Sequence, residues 1–327
     1  MCLYPKLIDN RKYKPTKKNN YNPPAPPQDP RVLYVPVGCG RCIECTKQKS
    51  NGWKIRLHEE IKFDRNATFV TFTFSEESLN KIKEALNKAN YYGYEIDNEI
   101  ASYAVRHFTE LWRKHFKKTI KHFLITELGH NGTERIHLHG ICWSKNKNAI
   151  QKIWKYGYVY LGDYVNEKTI NYISKYITKT DIHHKEYKQK IFCSKGLGAN
   201  YLNRRESHNN QFKEIETNEL YRYPNGKKGS LPIYYRNKLW TEAEKEELWK
   251  QRMDKEERYV LGQRIDMKLE TGEKFYNQAL KMARLENWAK GYGTDQKDYN
   301  QKKYEEKRKK LKQLTYISNL KNHDTQL

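Results

Sequence analysis

The sequence lacks any long apolar run, because no window approaches the roughly 20 apolar residues of a membrane-spanning helix. The segment after Met1 also lacks the apolar core of a secretory signal. Its six cysteines are too few and too clustered for a disulfide framework in 327 residues. Neither GxxxxGKS nor GxxxxGKT occurs, so the chain carries no evident ATPase motor. We therefore expect a cytoplasmic protein with reduced thiols or a thiolate-bound metal.

Acidic residues are scarce relative to basic ones: 39 Asp and Glu stand against 63 Lys and Arg, a formal net charge of +24. Such an excess predicts a polyanionic partner, with nucleic acid as the main candidate. Hydrophobic residues make up 37% and aromatic residues 13% of the chain, enough to build a sizeable core. The composition therefore predicts a globular protein with polar extensions.

Strand and helix patterns alternate along the middle of the chain without the regular repeat of a parallel barrel. Strand patterns cover 67–74, 122–128, 135–143 and 154–162, with 67–74 expected as a central strand; helix patterns cover 46–62, 105–116 and 168–179. This order predicts the α+β class, with an antiparallel sheet covered by helices.

Three segments differ in composition. Residues 1–45 form a basic, proline-rich and cysteine-containing arm, and 46–240 carry the strand and helix patterns. Residues 241–327 are a charged helical extension. Its segments TEAEKEELWKQRMDKEER and QKKYEEKRKKLKQ have few core residues, so we expect peripheral helices there.

Two histidines in the predicted strand 135–143 are candidate metal ligands. His137 and His139 are two residues apart, so their imidazoles project from the same face. Glu127, near the end of the preceding strand, is the natural third ligand. A two-residue turn would place it on the wrong face, so we expect an odd loop or a bulge that brings Glu127 beside His137. The alternative is a half-buried strand whose histidines only satisfy hydrogen bonds.

The predicted helix 168–179 displays a second set of reactive side chains. Tyr172, Lys175, Tyr176 and Lys179 fall on one face, while isoleucines occupy another. Tyrosine is a poor nucleophile at its free pKa near 10, but a nearby ammonium favours the phenolate. The pattern suits phosphoryl transfer through a phosphotyrosine. The alternative is an amphipathic helix with packed tyrosines and exposed lysines.

Three motifs resemble, in order and spacing, those of the HUH endonucleases that start rolling-circle replication. They are FVTFTF, Glu127 with HLHG, and YISKYITK. The two tyrosines resemble the two-tyrosine initiators of single-stranded DNA phages. Together with CGRCIECTKQKSNGW, SKGLGANYL and LPIYYRNKLW, they are most similar to the replication initiators of gokushovirus-type microviruses. The resemblance covers roughly residues 31 to 240.

The resemblance implies a palm-like antiparallel sheet and a site-specific DNA endonuclease and strand transferase in the host bacterial cytoplasm. It implies Mg²⁺ or Mn²⁺ held by Glu127, His137 and His139. Tyr172 and Tyr176 would be the nucleophiles, assisted by Lys175 and Lys179. Its partners would be single-stranded or supercoiled origin DNA and, because the chain has no motor motif, a host helicase and polymerase.

Cys39, Cys42 and Cys45 have Cys-x2-Cys-x2-Cys spacing, so successive thiolates can reach one ion. A closed Zn²⁺ site needs a fourth ligand, and Cys2 supplies it if the arm folds back. The alternative is a set of reduced thiols at the start of a helix.

Several basic residues are candidate phosphate contacts. They are Arg113, Lys114, Lys117 and Lys118 on a predicted helix, and Lys195 beside a short glycine pair, Gly196 and Gly198. The glycines either let backbone amides approach a phosphate or form a plain turn. A rival to the whole nuclease interpretation is a non-enzymatic, zinc-containing protein that binds single-stranded nucleic acid.

Overall fold

The computed structural model describes residues 2–91, 96–129, 134–180, 184, 187–294, 296 and 299–324. The chain divides into two compact units. The central unit comprises Lys49–Asn210 and Glu219–Tyr235, and the terminal unit comprises Met1–Gln48, Gln211–Asn218 and Arg236–Leu327. The segments predicted as an arm (1–45) and an extension (241–327) both lie in the terminal unit, and the roles given to them stay predictions.

The strands of the described residues are short to medium in length. In chain order they are β1 (Lys6–Asp9), β2 (Tyr34–Val37), β3 (Ala67–Phe72), β4 (Lys121–Leu128), β5 (Ile136–Trp143), β6 (Val159–Leu161), β7 (Ile191–Cys193), β8 (Leu220–Arg222), β9 (Lys228–Ser230), β10 (Glu257–Val260) and β11 (Gln263–Asp266).

The α-helices of the described residues are found in both units. In chain order they are α1 (Ile43–Phe63), α2 (Glu76–Ala85), α3 (Asp97–Phe116), α4 (Lys147–Ile153), α5 (Glu167–Thr178), α6 (Ile233–Leu239), α7 (Glu242–Asp254), α8 (Gly272–Ala289) and α9 (Gln301–Asp324). None of the helices in the described part of the chain is long and apolar enough to cross a membrane.

The central unit is built on a five-stranded antiparallel sheet of order β6-β3-β5-β4-β7. The α+β class with a central antiparallel sheet is therefore confirmed. β5 is the middle strand, and β3, predicted as central, lies beside it with partners on both edges. The two-stranded antiparallel pairs β1-β2, β8-β9 and β10-β11 complete the sheet structure of the described residues.

The two faces of the sheet bury different apolar side chains, because successive residues of a strand point to opposite faces. On one face Val70, Phe72, Leu124 and Leu138 pack with buried residues of α2, α3 and α4. Trp154, expected to begin a strand, instead follows α4 and stacks on Phe72 with ring centroids 4.4 Å apart.

On the other face Phe123, Ile125 and Ile141 pack against Leu57 of α1 and the isoleucines of α5. The same face of β4 and β5 carries Glu127, His137 and His139 further along the strands. The candidate site therefore lies beside α5, at the edge of a packed core that holds the strands and the helix in place.

The terminal unit has a core of its own. Leu3 near the N-terminus, Ile43 at the start of α1, and Val260, Tyr276 and Leu280 are all buried in one cluster. The Ile43 amide donates to the side chain of the buried Asn287 at 2.8 Å, so a residue of α8 caps the start of α1. Beyond residue 240, apolar residues of α8 and of the β10-β11 hairpin are buried in this core.

Candidate functional site

The register of the β4-β5 hairpin brings the predicted metal ligands together. Glu127 lies directly opposite His137, and Leu128 opposite Ile136. The Gly129 amide donates to the Arg135 carbonyl at 2.8 Å, which closes a loop of seven residues, 129–135. The expected odd loop is confirmed; residues 130–133, which include the expected turn, lie outside the described residues.

The carboxylate of Glu127 makes polar contacts with two other side chains of the site. One of its carboxylate oxygens lies 2.9 Å from His139 Nε2, and the other accepts a hydrogen bond from Lys179. His139 is fixed on its other side, where Nδ1 lies 3.1 Å from the Thr71 hydroxyl of β3. Thr71 and Ile125 are the register partners of His139 on its two neighbouring strands. The histidine is therefore oriented at both ring nitrogens.

The electrostatics of the site favour an ionised carboxylate and a neutral imidazole. Burial opposes ionisation of Glu127, but hydrogen bonds from His139 and Lys179 outweigh it and hold its pKa below the usual range. Burial and the nearby charge of His139 lower the pKa of His137. The two imidazole rings lie 6.3 Å apart between centroids. His137 fits because Gly129 has no side chain: a Cβ there would come within 2.9 Å of the imidazole.

Helix α5 begins with a capping box, in which Asn166 and Thr169 satisfy each other's backbone amides. Its isoleucines are buried as expected, and Lys175 and Lys179 are exposed. The two tyrosines differ from each other: Tyr172 is 49% exposed, whereas Tyr176 is only 7% exposed. The expectation that α5 displays both tyrosines is wrong for Tyr176, whose ring packs over the histidine strand.

Tyr176 joins the tyrosine helix to the histidine strand. Its ring stacks on His139 with centroids 4.5 Å apart and an interplanar angle of 4°. Its hydroxyl donates to the Tyr172 hydroxyl at 2.5 Å. Burial, the hydrogen bond with Tyr172 and the charge of Glu127 all raise the pKa of Tyr176. These effects favour the protonated form of Tyr176.

Glu127, His137 and His139 are of residue types that suit a divalent cation, although their ligand atoms do not all lie within 4.8 Å of one another. Two imidazoles with one carboxylate leave open positions on a metal for substrate and water. Coordination through His139 Nε2 requires the proton on Nδ1, where the Thr71 hydroxyl is placed to accept it. Lys179 occupies the other oxygen of Glu127, so its ammonium competes with a cation for this carboxylate.

The basic residues of α3 lie away from this site. Arg113, Lys114, Lys117 and Lys118 are exposed at the end of α3, which packs on the opposite face of the sheet. The chain then enters β4 at Lys121, whereas Glu127 lies six residues further along, about 20 Å away. A groove between α3 and α4 adds Lys152 and Lys155 to this basic surface.

The loop near Lys195 is held by contacts within the central unit. The Gly198 amide donates to Glu60 at 2.6 Å, and Arg56 donates to the Leu197 carbonyl at 2.8 Å. Gly198 has φ +77°, and a Cβ there would lie 2.6 Å from the Arg56 carbonyl oxygen. These contacts favour the plain turn over an amide cradle for phosphate. Lys195 itself is exposed.

The four cysteines named as possible zinc ligands also come together. The sulfur atoms of Cys2, Cys39, Cys42 and Cys45 all lie within 4.8 Å of one another in the terminal unit. Among the described residues this is the one group of three or more His, Cys, Asp or Glu side chains gathered so closely.

Four residues that support the site or the central unit escaped the sequence reasoning. Thr71 and Gly129 position the histidines, and the alternation of FVTFTF does place Thr71 on the same face as Phe69, which contacts Tyr172. Glu59 and Glu60 are buried on α1, where they accept hydrogen bonds from side chains of the central unit. Adjacent glutamates on a helix give no sequence signal of burial.

Fold and site together describe an α+β protein with a two-histidine, one-carboxylate cluster beside a tyrosine pair. Residues 67–181, which contain all of these side chains, match the family model of the ORF2-type replication-associated proteins. The "Replication-associated protein ORF2" of Spiroplasma virus 4 is 27% identical over 235 residues, 62% of this chain and 69% of that protein. No solved structure matches the chain significantly. The similarities support a viral replication-associated protein.

Proposed function

We propose that the chain is a rolling-circle replication initiator of the HUH type that nicks one strand of a phage origin and later rejoins the ends. The sequence resemblance points to a microvirus of the gokushovirus type as the phage. The observation that carries the proposal is the meeting of the Tyr172–Tyr176 pair with His139 and Glu127 at one end of the sheet. The matching family model and the similar protein of Spiroplasma virus 4 are both described as replication-associated, which supports the proposal.

The chemistry requires one nucleophile and no external energy source. The Tyr172 oxygen attacks the phosphorus of the scissile phosphodiester, the bond from phosphorus to the 3′ oxygen breaks, and that oxygen takes up a proton. The products are a 5′-phosphotyrosine and a free 3′-OH that primes synthesis. Attack of a 3′-OH on the phosphotyrosine reverses the exchange and joins two DNA ends, so the number of phosphoester bonds is conserved.

Tyr172 is the first nucleophile in this proposal because it is the accessible member of the pair. Its ring is half exposed, and its hydroxyl accepts the hydrogen bond from Tyr176. Tyr176 is buried and its pKa is raised, so it is poorly suited to attack before the site rearranges. In a second cleavage, when Tyr172 carries DNA, Tyr176 provides the remaining hydroxyl.

Glu127, His137 and His139 would hold Mg²⁺ or Mn²⁺, and such a cation would supply Lewis-acid polarisation of the scissile phosphate. Thr71 and Gly129 position the two imidazoles for this role. A cation at Glu127 would compete with Lys179, whose ammonium lies near the tyrosines, 5.9 Å from the Tyr176 ring centroid. Lys175, exposed on the same helix, offers a second charge to the DNA backbone.

DNA would contact more than the catalytic end of the sheet. The groove with Lys114, Lys152 and Lys155 forms a basic surface on the central unit, and the net charge of +24 favours a polyanion throughout. A host helicase and polymerase would supply unwinding and synthesis, because the sequence has no ATPase motif.

The rival function is a zinc-containing nucleic-acid-binding protein without catalysis, which the cluster of four cysteines favours. Incubation with a supercoiled plasmid carrying the phage origin, with and without Mn²⁺, separates the two. The nuclease predicts a metal-dependent nick and a protein band shifted by covalent DNA, whereas the rival predicts a gel shift that denaturation abolishes.

A further inference from the structure

Four cysteines from two separate stretches of chain meet in the terminal unit. Cys2 lies near the N-terminus, Cys39 and Cys42 precede α1, and Cys45 lies in its first turn. Cys39 and Cys42 are buried, while Cys2 and Cys45 are partly buried. Residues 40 positions apart in sequence thus come into contact, since Cys2 Sγ and Cys42 Sγ are separated by 3.8 Å.

The spacing of the sulfurs matches a tetrahedral tetrathiolate. Zn²⁺ binds thiolate sulfur at about 2.3 Å, which sets the edge of the S₄ tetrahedron at about 3.8 Å. The Cys2–Cys42 pair already has this separation, and all four sulfurs lie within 4.8 Å of one another. A disulfide would explain the approach of two sulfurs but not the convergence of four.

We propose that Cys2, Cys39, Cys42 and Cys45 bind one structural Zn²⁺ ion, distinct from the catalytic cation. Four thiolates around a closed, partly buried position are typical of structural zinc and leave no open coordination position for a substrate. Loading is balanced: one Zn²⁺ replaces four thiol protons, which are released to solvent, and no electrons are exchanged.

The backbone around the cluster is arranged for negatively charged sulfur. The amides of Tyr4 and Cys39 donate to Cys2 Sγ at 3.3 and 3.2 Å, and the Cys42 amide donates to Cys39 Sγ at 3.2 Å. Such bonds stabilise thiolates and fix their directions. A Cβ on Gly38 would lie 3.0 Å from Cys45 Sγ, so this glycine leaves room for the cluster.

The surroundings hold the remote ligand, Cys2, in place. Leu3 is 1% exposed, and Arg284 of α8 donates to its carbonyl at 2.8 Å. The Arg284 guanidinium also lies over the ring of Tyr4, with 5.1 Å to the centroid. Chain ends are poorly ordered unless they are tied down. A zinc ion bound by Cys2 would fix the N-terminus to the start of α1 within the terminal unit.

The test is metal analysis of the full-length protein, expressed with zinc and purified without chelating resin. We expect one equivalent of zinc per chain, and loss of that equivalent in Cys39→Ser and in Cys42→Ser. Cys193→Ser, which removes an exposed thiol outside the cluster, is the matched control and should keep the zinc. His137→Ala/His139→Ala should also keep it, which separates this site from the catalytic cation.

A second measurement on the wild-type chain covers the case in which the serine variants do not fold. Titration with an organomercurial in the presence of a zinc-sensitive dye should release one zinc as four thiols react. Replacement by Co²⁺ should give the strong visible bands of tetrahedral tetrathiolate cobalt. Either a metal-free folded protein in which the four cluster thiols react freely, or stoichiometric iron in place of zinc, would overturn the assignment. Zinc retained in folded Cys39→Ser and Cys42→Ser would overturn it as well.

Discussion

The imidazole of His139 and the phenol of Tyr176 lie face to face, 4.5 Å apart and 4° from parallel. This contact links β5, which carries the candidate metal ligands, to α5, which carries the candidate nucleophiles. A shift of α5 would therefore change the packing on His139, and a change at His139 would alter the packing of the tyrosine pair. We expect the two elements to act together in cleavage.

Removal of either imidazole should abolish cleavage but not DNA binding. His137→Ala and His139→Ala each delete an imidazole nitrogen of the candidate cation site. We expect nicking of origin DNA in Mn²⁺ to fall below detection, while affinity at low salt changes little because the phosphate contacts lie elsewhere. His208→Ala, which removes an exposed histidine outside the site, should nick normally. Full activity of either site variant would remove the metal site from the account.

Lys179→Met should separate metal binding from turnover. The Lys179 ammonium pairs with Glu127, so its removal frees the carboxylate and should lower the Mn²⁺ concentration needed for half-maximal cleavage. The maximal rate should fall, because a cation beside the tyrosines is lost. Lys175→Met, one helical turn away and exposed, should not change the metal requirement. An unchanged metal requirement in Lys179→Met would show that the ion pair does not control the site.

Glu60→Ala should destabilise the central unit. Glu60 is 1% exposed and accepts hydrogen bonds from Lys121 at 2.5 Å and from the Gly198 amide at 2.6 Å. The substitution leaves the buried Gly198 amide without its acceptor, which costs about 1–3 kcal/mol, whereas Lys121 is 35% exposed and can be solvated. The shift in the urea midpoint, followed by tryptophan fluorescence, measures it. Glu77→Gln breaks an exposed pair with Lys81 and should leave the midpoint unchanged.

The basic groove between α3 and α4 should contribute to the salt dependence of DNA binding. If the protein neutralises about six phosphates, affinity should fall about 10³-fold between about 50 and 200 mM salt. Replacement of Lys114, Lys152 and Lys155 by Gln should reduce the slope of log K against log salt by up to about three. Lys81→Gln is the control, because that lysine pairs with Glu77. An unchanged slope in the triple variant would show that DNA does not occupy this groove.

Local sequence patterns predicted the structural features that depend on the periodicity of apolar residues. The alternation in 67–74 and the isoleucine spacing of α5 correctly predicted a strand and an amphipathic helix, and the demand that Glu127 face His137 correctly predicted an odd hairpin loop. Periodicity does not tell which residue of the displayed face meets another element. Tyr176 is buried because the histidine strand lies over it, and that packing is a tertiary property.

The core of the terminal unit could not be predicted from local patterns either, because it joins residues that are far apart in sequence. This core joins Leu3, Ile43 and Leu280, which are separated by most of the chain, so each segment alone is too polar to indicate a core. The cysteine spacing did indicate three possible ligands, because Cys39, Cys42 and Cys45 are close in sequence. That Cys2 joins them depends on the path of the N-terminal segment, which local spacing does not determine.

Substitutions of the tyrosine pair test the order of action in the proposed mechanism. Tyr172→Phe should slow the first cleavage by about tenfold or more, equivalent to about 1.4 kcal/mol in the barrier, because the remaining hydroxyl is buried. Tyr176→Phe keeps the stacked ring and the exposed nucleophile, so it should retain the first cleavage and lose the second. The double variant should form no adduct. Equal first-cleavage rates in the two single variants would contradict the order of action proposed here.

The most direct test of the central claim is to identify the residue that carries DNA. Wild-type protein is incubated with an origin oligonucleotide and Mn²⁺, digested with nuclease and protease, and the nucleotide-bearing peptide is sequenced by mass spectrometry. The account predicts a 5′-phosphotyrosine on Tyr172 in a single round and on Tyr176 when Tyr172 is replaced by Phe. An adduct on any other residue, or cleavage without an adduct, would contradict it.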